Sequence, residues 1–176
     1  MSTKTIVIRE AIDTDADAVQ AVLLDAYGQY EQTLPEDRWE EYKENIISSV
    51  SEAATKSRLV AELDGEIVGS VFLFDSSEAA YGRSDLDIQN PVIRLLAVSR
   101  KARGLGVATE LIRACARECR EWGAQTVHLH TSDMMDSAVR LYERLGFERA
   151  FDKDIMNGNL LVKSYRLQLN ETTLLL

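Results

Sequence analysis

The chain is short of the residues that break or staple a fold. It has 2 prolines in 176 residues, Pro35 and Pro91, and no Gly/Ser-rich stretch, so no linker marks a domain boundary. Its 2 cysteines, Cys115 and Cys119, cannot build a disulfide framework and have no histidine at metal-ligand spacing, so no metal site is expected. Both fall on one predicted helix and read as small buried hydrophobes in a reducing compartment. No run approaches the ~20 apolar residues needed to cross a bilayer. The opening Met1-Ser2-Thr3-Lys4-Thr5 lacks an apolar core of leader length, and Leu174-Leu175-Leu176 is too short to span. These absences predict a cytoplasmic protein with a single domain over residues 1–170 and a tail at 171–176. Positive charge is scarce too: 20 Lys plus Arg stand against 29 Asp plus Glu, a net −9. Nucleic acids and anionic membranes bind through basic surfaces, so neither is expected as a partner.

What the chain does have is a core. Hydrophobic residues make up 45% of it and charged residues 28%, a globular balance. Residues 5–9 alternate as a strand, and Asp13-Thr14-Asp15 offers a cap to a helix carrying Val19, Val22, Leu23 and Ala26. A second helix is predicted over about residues 36–53, with Trp39, Tyr42, Ile46 and Val50 on one side. Ser57–Leu63 and Glu66–Phe74 read as a hairpin about Asp64-Gly65, which suits a type I′ turn. Residues 75–90 are polar and read as a loop. Val92–Val98 is almost continuously apolar, interrupted by Arg94 alone, as in a strand at the middle of a sheet. The longest helix spans about residues 104–122, with Ala108, Leu111, Ile112, Cys115, Cys119 and Trp122 as its apolar stripe. Residues 126–130 form a strand, and Ala138, Leu141, Tyr142 and Leu145 a short helix closed by Gly146. Strands around residues 147–151 and 160–169 end the chain. The order β-α-α-β-β-β-α-β-α-β-β predicts an α/β domain, a mixed central sheet with helices on both faces.

Residues 88–109 hold four cations, Arg94, Arg100, Lys101 and Arg103, and no acid. Within them a core strand ends at Val98, a basic turn follows, and a helix opens at Gly104-Leu105-Gly106. The first amides of a helix have no partner inside it, and no Ser, Thr, Asp or Asn stands ready to cap them. Glycines leave that backbone bare to a phosphate. A P-loop would need Gly-x-x-x-x-Gly-Lys-Ser/Thr, which is absent, and a dinucleotide fingerprint would need glycine where Thr109 stands. Glycines that merely permit close packing, or a nucleotide binder of another family, are the competing readings.

Arg103-Gly104-Leu105-Gly106-Val107-Ala108, followed about 30 residues later by Ala138-Val139-Arg140-Leu141-Tyr142-Glu143-Arg144-Leu145-Gly146-Phe147, resembles the GNAT N-acetyltransferase superfamily. That family carries Gln/Arg-x-x-Gly-x-Gly/Ala and, later, Ala-x-x-Leu-Tyr-x-x-x-Gly-Phe. The likeness, with the element order, covers nearly the whole chain. Lys101 stands at the Gln/Arg place, keeping the charge but losing a fork of donors. Met135, beside Asp136, stands where the family often has Asn. The resemblance implies acetyl-CoA as cosubstrate, entering an opening between Val92–Val98 and the strand at 126–130. Backbone at Leu96, Ala97 and Val98 would pair with the pantetheine arm. The backbone of Arg103, Gly104, Leu105, Gly106, Val107 and Ala108 would hold the pyrophosphate. Tyr142 would be the general acid, although by pattern alone it is a core aromatic. The implied activity is acetyl transfer to a primary amine of a small molecule or a protein/peptide. The alternative is a non-catalytic acyl-CoA sensor of the same fold.

The general base is open. Relatives often place a Glu on the strand that here offers Arg94. Asp85, Asp87, His128, His130 and water are the candidates, with the histidines also readable as structural. Residues 1–54 hold twelve acids against four bases, which steers a cationic amine or simply solvates a helix face. Tyr27, Tyr30, Trp39 and Tyr42 either line an acceptor pocket or pack. A homodimer is available to the family, and the edge of the last strand is the expected place for it.

Overall fold

The computed structural model describes residues 5–28, 35–50, 55–81, 87–132, 136–157, 160–170 and 172. The elements are β1 (Ile6–Glu10), α1 (Ala16–Tyr27), α2 (Glu36–Ser49), β2 (Ser57–Leu63), β3 (Glu66–Phe74), α3 (Ser77–Tyr81), β4 (Val92–Val98), α4 (Val107–Glu121), β5 (Thr126–Ser132), α5 (Asp136–Arg144), β6 (Glu148–Arg149), β7 (Ile155–Asn157) and β8 (Leu160–Gln168). The strands form one eight-stranded sheet in the order β1-β2-β3-β4-β5-β8-β6, with β7 on β8. It is mixed: β4 and β5 run parallel, whereas β1–β2 and β5–β8 are antiparallel. By contacts the chain forms two compact units, Met1–Phe72 with Leu95–Leu111, and Leu73–Arg94 with Ile112–Leu176.

In the first unit the β2–β3 hairpin turns on Asp64 and Gly65 at φ 54° and 81°, the two positive angles a type I′ turn demands. Arg9 on β1 grips Asp15 through two hydrogen bonds of 2.7 and 3.1 Å and reaches Glu62 on β2 at 2.8 Å. Arg9, helped by the Ile12 amide, holds the Asp15 carboxyl down at about 2. The predicted face of the first leading helix is buried, Val19, Val22, Leu23 and Ala26; on the second Trp39 and Ile46 are buried, whereas Val50 is only half-buried. α2 ends at Ser49, short of the expected 53, and residues 51–54 lie outside the described residues.

In the second unit β5 pairs with β8 along its whole length, from Thr126↔Gln168 to Ser132↔Val162. β8 in turn carries β6 and β7 on its other side. The last strand is thus flanked on both sides, and the free edge expected there for a dimer is taken. β7, three residues long, is too short to give an alternating pattern, which is why the sequence did not announce it. The loop expected at 75–90 contains α3, started by the Ser76 hydroxyl, which accepts the Ala79 amide at 3.3 Å. Cys115 and Cys119 are fully buried and form no disulfide, and burial pushes the Cys115 thiol up, so it is a packing residue. Trp122, expected on the buried stripe, is exposed: α4 stops at Glu121 and the chain turns away at Gly123, φ 85°. Residues 173–176 of the expected tail lie outside the described residues.

The tightest backbone approach is at Gly69 on β3. A Cβ there would meet Val107 Cγ1 at 2.8 Å, Leu111 Cδ1 at 3.1 Å and the Ala97 carbonyl at 3.2 Å, because α4 lies directly over the strand. Gly69→Ala should therefore destabilise the protein by about 1–3 kcal/mol, read as a lower urea midpoint with an unchanged slope.

Candidate active site

The first unit supplies a bare backbone bend. β3 and the end of β4 are joined by the Ser99 amide donating to the Val68 carbonyl at 2.8 Å. A 3-10 turn, Arg100–Ala102, follows, and then Gly104 and Gly106 at φ 80° and 86°. α4 opens at Val107, three residues later than the expected 104. Its first bond runs from the Glu110 amide to the Gly106 carbonyl at 3.1 Å, which makes Gly106 the N-cap, and glycine has no side chain to cap with. The amides of Val107, Ala108 and Thr109 therefore open the helix without intrahelical partners, at the positive end of its dipole. A Cβ at Gly104 or Gly106 would meet nothing within 4 Å: the space above the bend is open, and it is the φ angles that require glycine.

The cations expected to assist are mostly committed elsewhere. The Arg100 amide and Nε both bond to Asp25 at the end of α1, at 2.9 and 3.0 Å. Lys101 pairs with Glu66. Arg103 stays exposed. The motif Gln/Arg-x-x-Gly-x-Gly/Ala also fits two residues later than the Lys101 register, from Arg103 through Gly106 to Ala108, and this second register coincides with the observed helix start. Tyr27 resolves from pocket candidate to brace: its hydroxyl donates to the Leu96 carbonyl at 2.9 Å. Trp39 is buried, and Tyr30 and the Tyr42 side chain lie outside the described residues.

β4 changes character midway. Among the described residues it pairs with β5 at Val92↔His128 and Ile93↔Leu129 only. Two residues on, Leu95 takes φ 55°, a left-handed angle that costs a leucine about 1 kcal/mol or more and ends regular pairing.

In the second unit, the two residues just past that pairing converge on one ring. The Arg94 guanidinium lies 5.1 Å from the Tyr81 ring centre and donates to the Ala80 carbonyl at 2.9 Å. His130 meets the same ring edge-on at 5.1 Å, with its Nδ1 3.0 Å from the Tyr81 hydroxyl. His130 Nε2 lies 3.0 Å from the Lys153 carbonyl. A carbonyl can only accept, so in the neutral imidazole Nε2 carries the hydrogen and Nδ1 accepts from Tyr81. Burial pushes the Tyr81 phenol up, and Arg94 opposes it.

The two histidines, predicted to share a strand face, have different fates. His128 is 5% exposed, and its Nδ1 is buried without a hydrogen-bond partner. Burial, helped by the charges of His130, Arg166 and Lys153, brings its imidazole down to about 4, so at neutral pH it takes up no proton. Asp87 is exposed and accepts from Gln89 at 3.1 Å. Asp85, Met135 and the Asp136 side chain lie outside the described residues.

Tyr142 owes its place to a helix terminus. Gly146, φ 100°, ends α5 with the Phe147 amide on the Tyr142 carbonyl at 3.0 Å and the Gly146 amide on the Glu143 carbonyl at 3.1 Å. This paired closure brings the residue after the glycine against the third from the helix end. Those residues are Phe147 and Tyr142, their rings 5.8 Å apart. Tyr142 is buried.

The sequence matches the profile of the acetyltransferase (GNAT) family over residues 16–147. It is 33% identical over 119 residues to N-acetyltransferase 8B of Rattus norvegicus, across 63% of this chain and 51% of that protein. It is 36% identical over 90 residues to N-acetyltransferase family 8 member 2 of the same species, across 51% of this chain and 38% of that protein. The chain thus spans about half the length, or less, of these relatives. Among solved structures, a GNAT-family acetyltransferase of Streptococcus agalactiae superposes with a TM-score of 0.72 at 13% identity, over 93% of this chain and 95% of that one. The ribosomal-protein-S18-alanine N-acetyltransferase of Escherichia coli does so at 0.65 and 16% identity, over 94% of each chain. At these identities the likeness establishes the fold.

His128 makes a testable demand on stability. Its neutral form is favoured on folding, so the unfolded chain binds the extra proton first as the pH falls. Stability should be complete above about pH 6.5 and fall toward pH 4, by about 3 kcal/mol over that window. Denaturation of His128→Asn across the window should show a flatter slope than the parent.

Proposed function

Because the chain belongs to the GNAT acetyltransferase family, we propose that it transfers the acetyl group of acetyl-CoA to a primary amine of a small molecule or a protein/peptide. The observation that carries this reading is the uncapped first turn of α4 behind Gly104 and Gly106. Its donors suit a diphosphate, since several amides and a helix dipole converge on open space. In this reading the backbone of Arg103, Gly104, Leu105, Gly106, Val107 and Ala108 holds the pyrophosphate. Backbone of Leu96, Ala97 and Val98 pairs with the pantetheine arm.

Bound acetyl-CoA supplies the thioester as acyl donor. Tyr142 donates a proton to the departing sulfur. A thiol has a pKa near 8.5 in simple peptides, so modest assistance suffices, and a phenol fixed by the α5 terminus can give it. The acid excess of residues 1–54 favours a cationic acceptor at long range. The reading also puts the protein in the cytoplasm, in keeping with two buried cysteines that form no disulfide; among the described residues no helix is long and apolar enough to cross a membrane. A second reading, an acyl-CoA sensor without transfer, is favoured by Arg94 standing where relatives often carry a glutamate.

Thiol release from acetyl-CoA across a panel of polyamines, arylalkylamines, amino acids and lysine- or N-terminal peptides separates the two. Transfer requires amine-dependent release. Tight coenzyme binding without release supports the sensor, and preference for ATP or NAD contradicts both. Tyr142→Phe should lower kcat by about 100-fold while leaving desulfo-CoA affinity within about 3-fold. Gly106→Ala forces a positive φ on alanine at about 1 kcal/mol, and should weaken desulfo-CoA binding in calorimetry; an unchanged affinity removes the bend from the site.

A further inference from the structure

The reaction proposed above needs a base, because a primary amine is an ammonium at neutral pH and an ammonium has no lone pair to attack with. This inference rests on that reading. Of the candidate bases in the sequence, His128 is sealed, Asp87 is exposed and bonded to Gln89, and Asp85 lies outside the described residues; Arg94, at the place where relatives often carry a glutamate, is a permanent cation spent on a carbonyl and two rings. His130 is different. It is only half-buried, and it follows Leu129, the last β5 residue paired with β4. Its register counterpart, Arg94, and His130 itself both bear on Tyr81. One phenol is therefore clamped by side chains from the two strands where they cease to pair. The acceptor lone pair of His130 Nδ1 is turned to that phenol at 3.0 Å, because Nε2 is committed to the Lys153 carbonyl.

We infer that Tyr81 and His130 form a proton relay that deprotonates the acceptor amine. The ammonium N–H bond breaks toward the Tyr81 oxygen as the Tyr81 proton passes to His130 Nδ1. The result is a neutral amine, an intact phenol and an imidazolium whose Nε2–H stays on Lys153. After acetyl transfer the proton returns through Tyr81 to water, so one proton leaves per turnover. The charged and titratable groups facing the pair are Arg94 on β4, His128 on β5, and Lys153 and Asp154 beyond β6. Arg94 stabilises negative charge on the phenol oxygen during the exchange. Arg149, bonded to Asp154 at 2.7 and 2.8 Å, holds that carboxyl low, so it stays ionised and does not compete for the proton.

The test compares the parent, Tyr81→Phe and His130→Gln on two acceptors at pH 7. One is the most reactive alkylamine of the panel; the other is its β,β-difluoro analogue, a far weaker base of which a large fraction is already neutral at that pH. Each variant should lose about 100-fold in kcat/KM with the alkylamine and stay within about 3-fold of the parent with the analogue. Desulfo-CoA affinity and melting temperature should match the parent. If Tyr81→Phe does not fold, His130→Gln, which keeps a donor for the Lys153 carbonyl, answers alone. Equal losses on both amines mean a structural role and overturn the relay, as does no loss on either. A parent without amine-dependent thiol release overturns the transferase reading and the relay together. A turning-over parent with unaffected variants overturns the relay alone.

Discussion

A helix that begins on glycine leaves its first amide hydrogens to be satisfied from outside the chain, and this constraint organises the first unit. Gly106 accepts the opening bond of α4 but offers no side chain in return. The neighbouring contacts hold that geometry in place. Gly69 lets α4 settle onto β3, Ser99 ties the end of β4 to Val68, and Asp25 takes both the backbone and the guanidine of Arg100. The exposed Arg100–Asp25 and Lys101–Glu66 pairs contribute little stability as ion pairs. Their effect is positional: they turn two cations away from the bend and leave its positive potential to the peptide dipoles.

The second unit is built on a different constraint, the end of β4–β5 pairing at Ile93. The chain passes back to the first unit at Leu95, which is held at an angle leucine avoids, and strain of that kind persists only where the surroundings over-determine it. Just before it, Arg94 is anchored on Ala80 and stacked on Tyr81 and Phe74. An arginine on a strand that otherwise reads as core is thus accommodated by a carbonyl and two aromatic faces. The same arrangement presents the Tyr81 hydroxyl to His130.

Much of the fold was legible because periodicity and turn chemistry agreed. The Asp64-Gly65 hairpin, the apolar run of β4, the cysteine face of α4 and the glycine end of α5 each have a local cause, and each is present in the structure. What failed to show in the sequence depends on a single cap, a tertiary partner or a backbone angle. α3 exists through a serine cap within a polar stretch, β7 through pairing with β8, and the start of α4 at Val107 through φ angles the letters do not reveal. The bend and Tyr142 could be singled out from motifs. The contrast between His128 and His130 could not, since strand alternation gives both the same face and only neighbours distinguish a sealed imidazole from a bonded one. Tyr81 lay in a stretch that read as loop, and no pattern in the sequence linked it to a histidine 49 positions away.

The central claim is that the amides opening α4 grip a diphosphate. Nitrogen–proton NMR of the labelled protein, titrated with desulfo-CoA, tests it residue by residue. Saturable downfield shifts of the Val107, Ala108 and Thr109 amides, reproduced in part by adenosine 3′,5′-bisphosphate plus pyrophosphate, are the predicted result. Resonances that stay in place at saturating coenzyme would contradict the account.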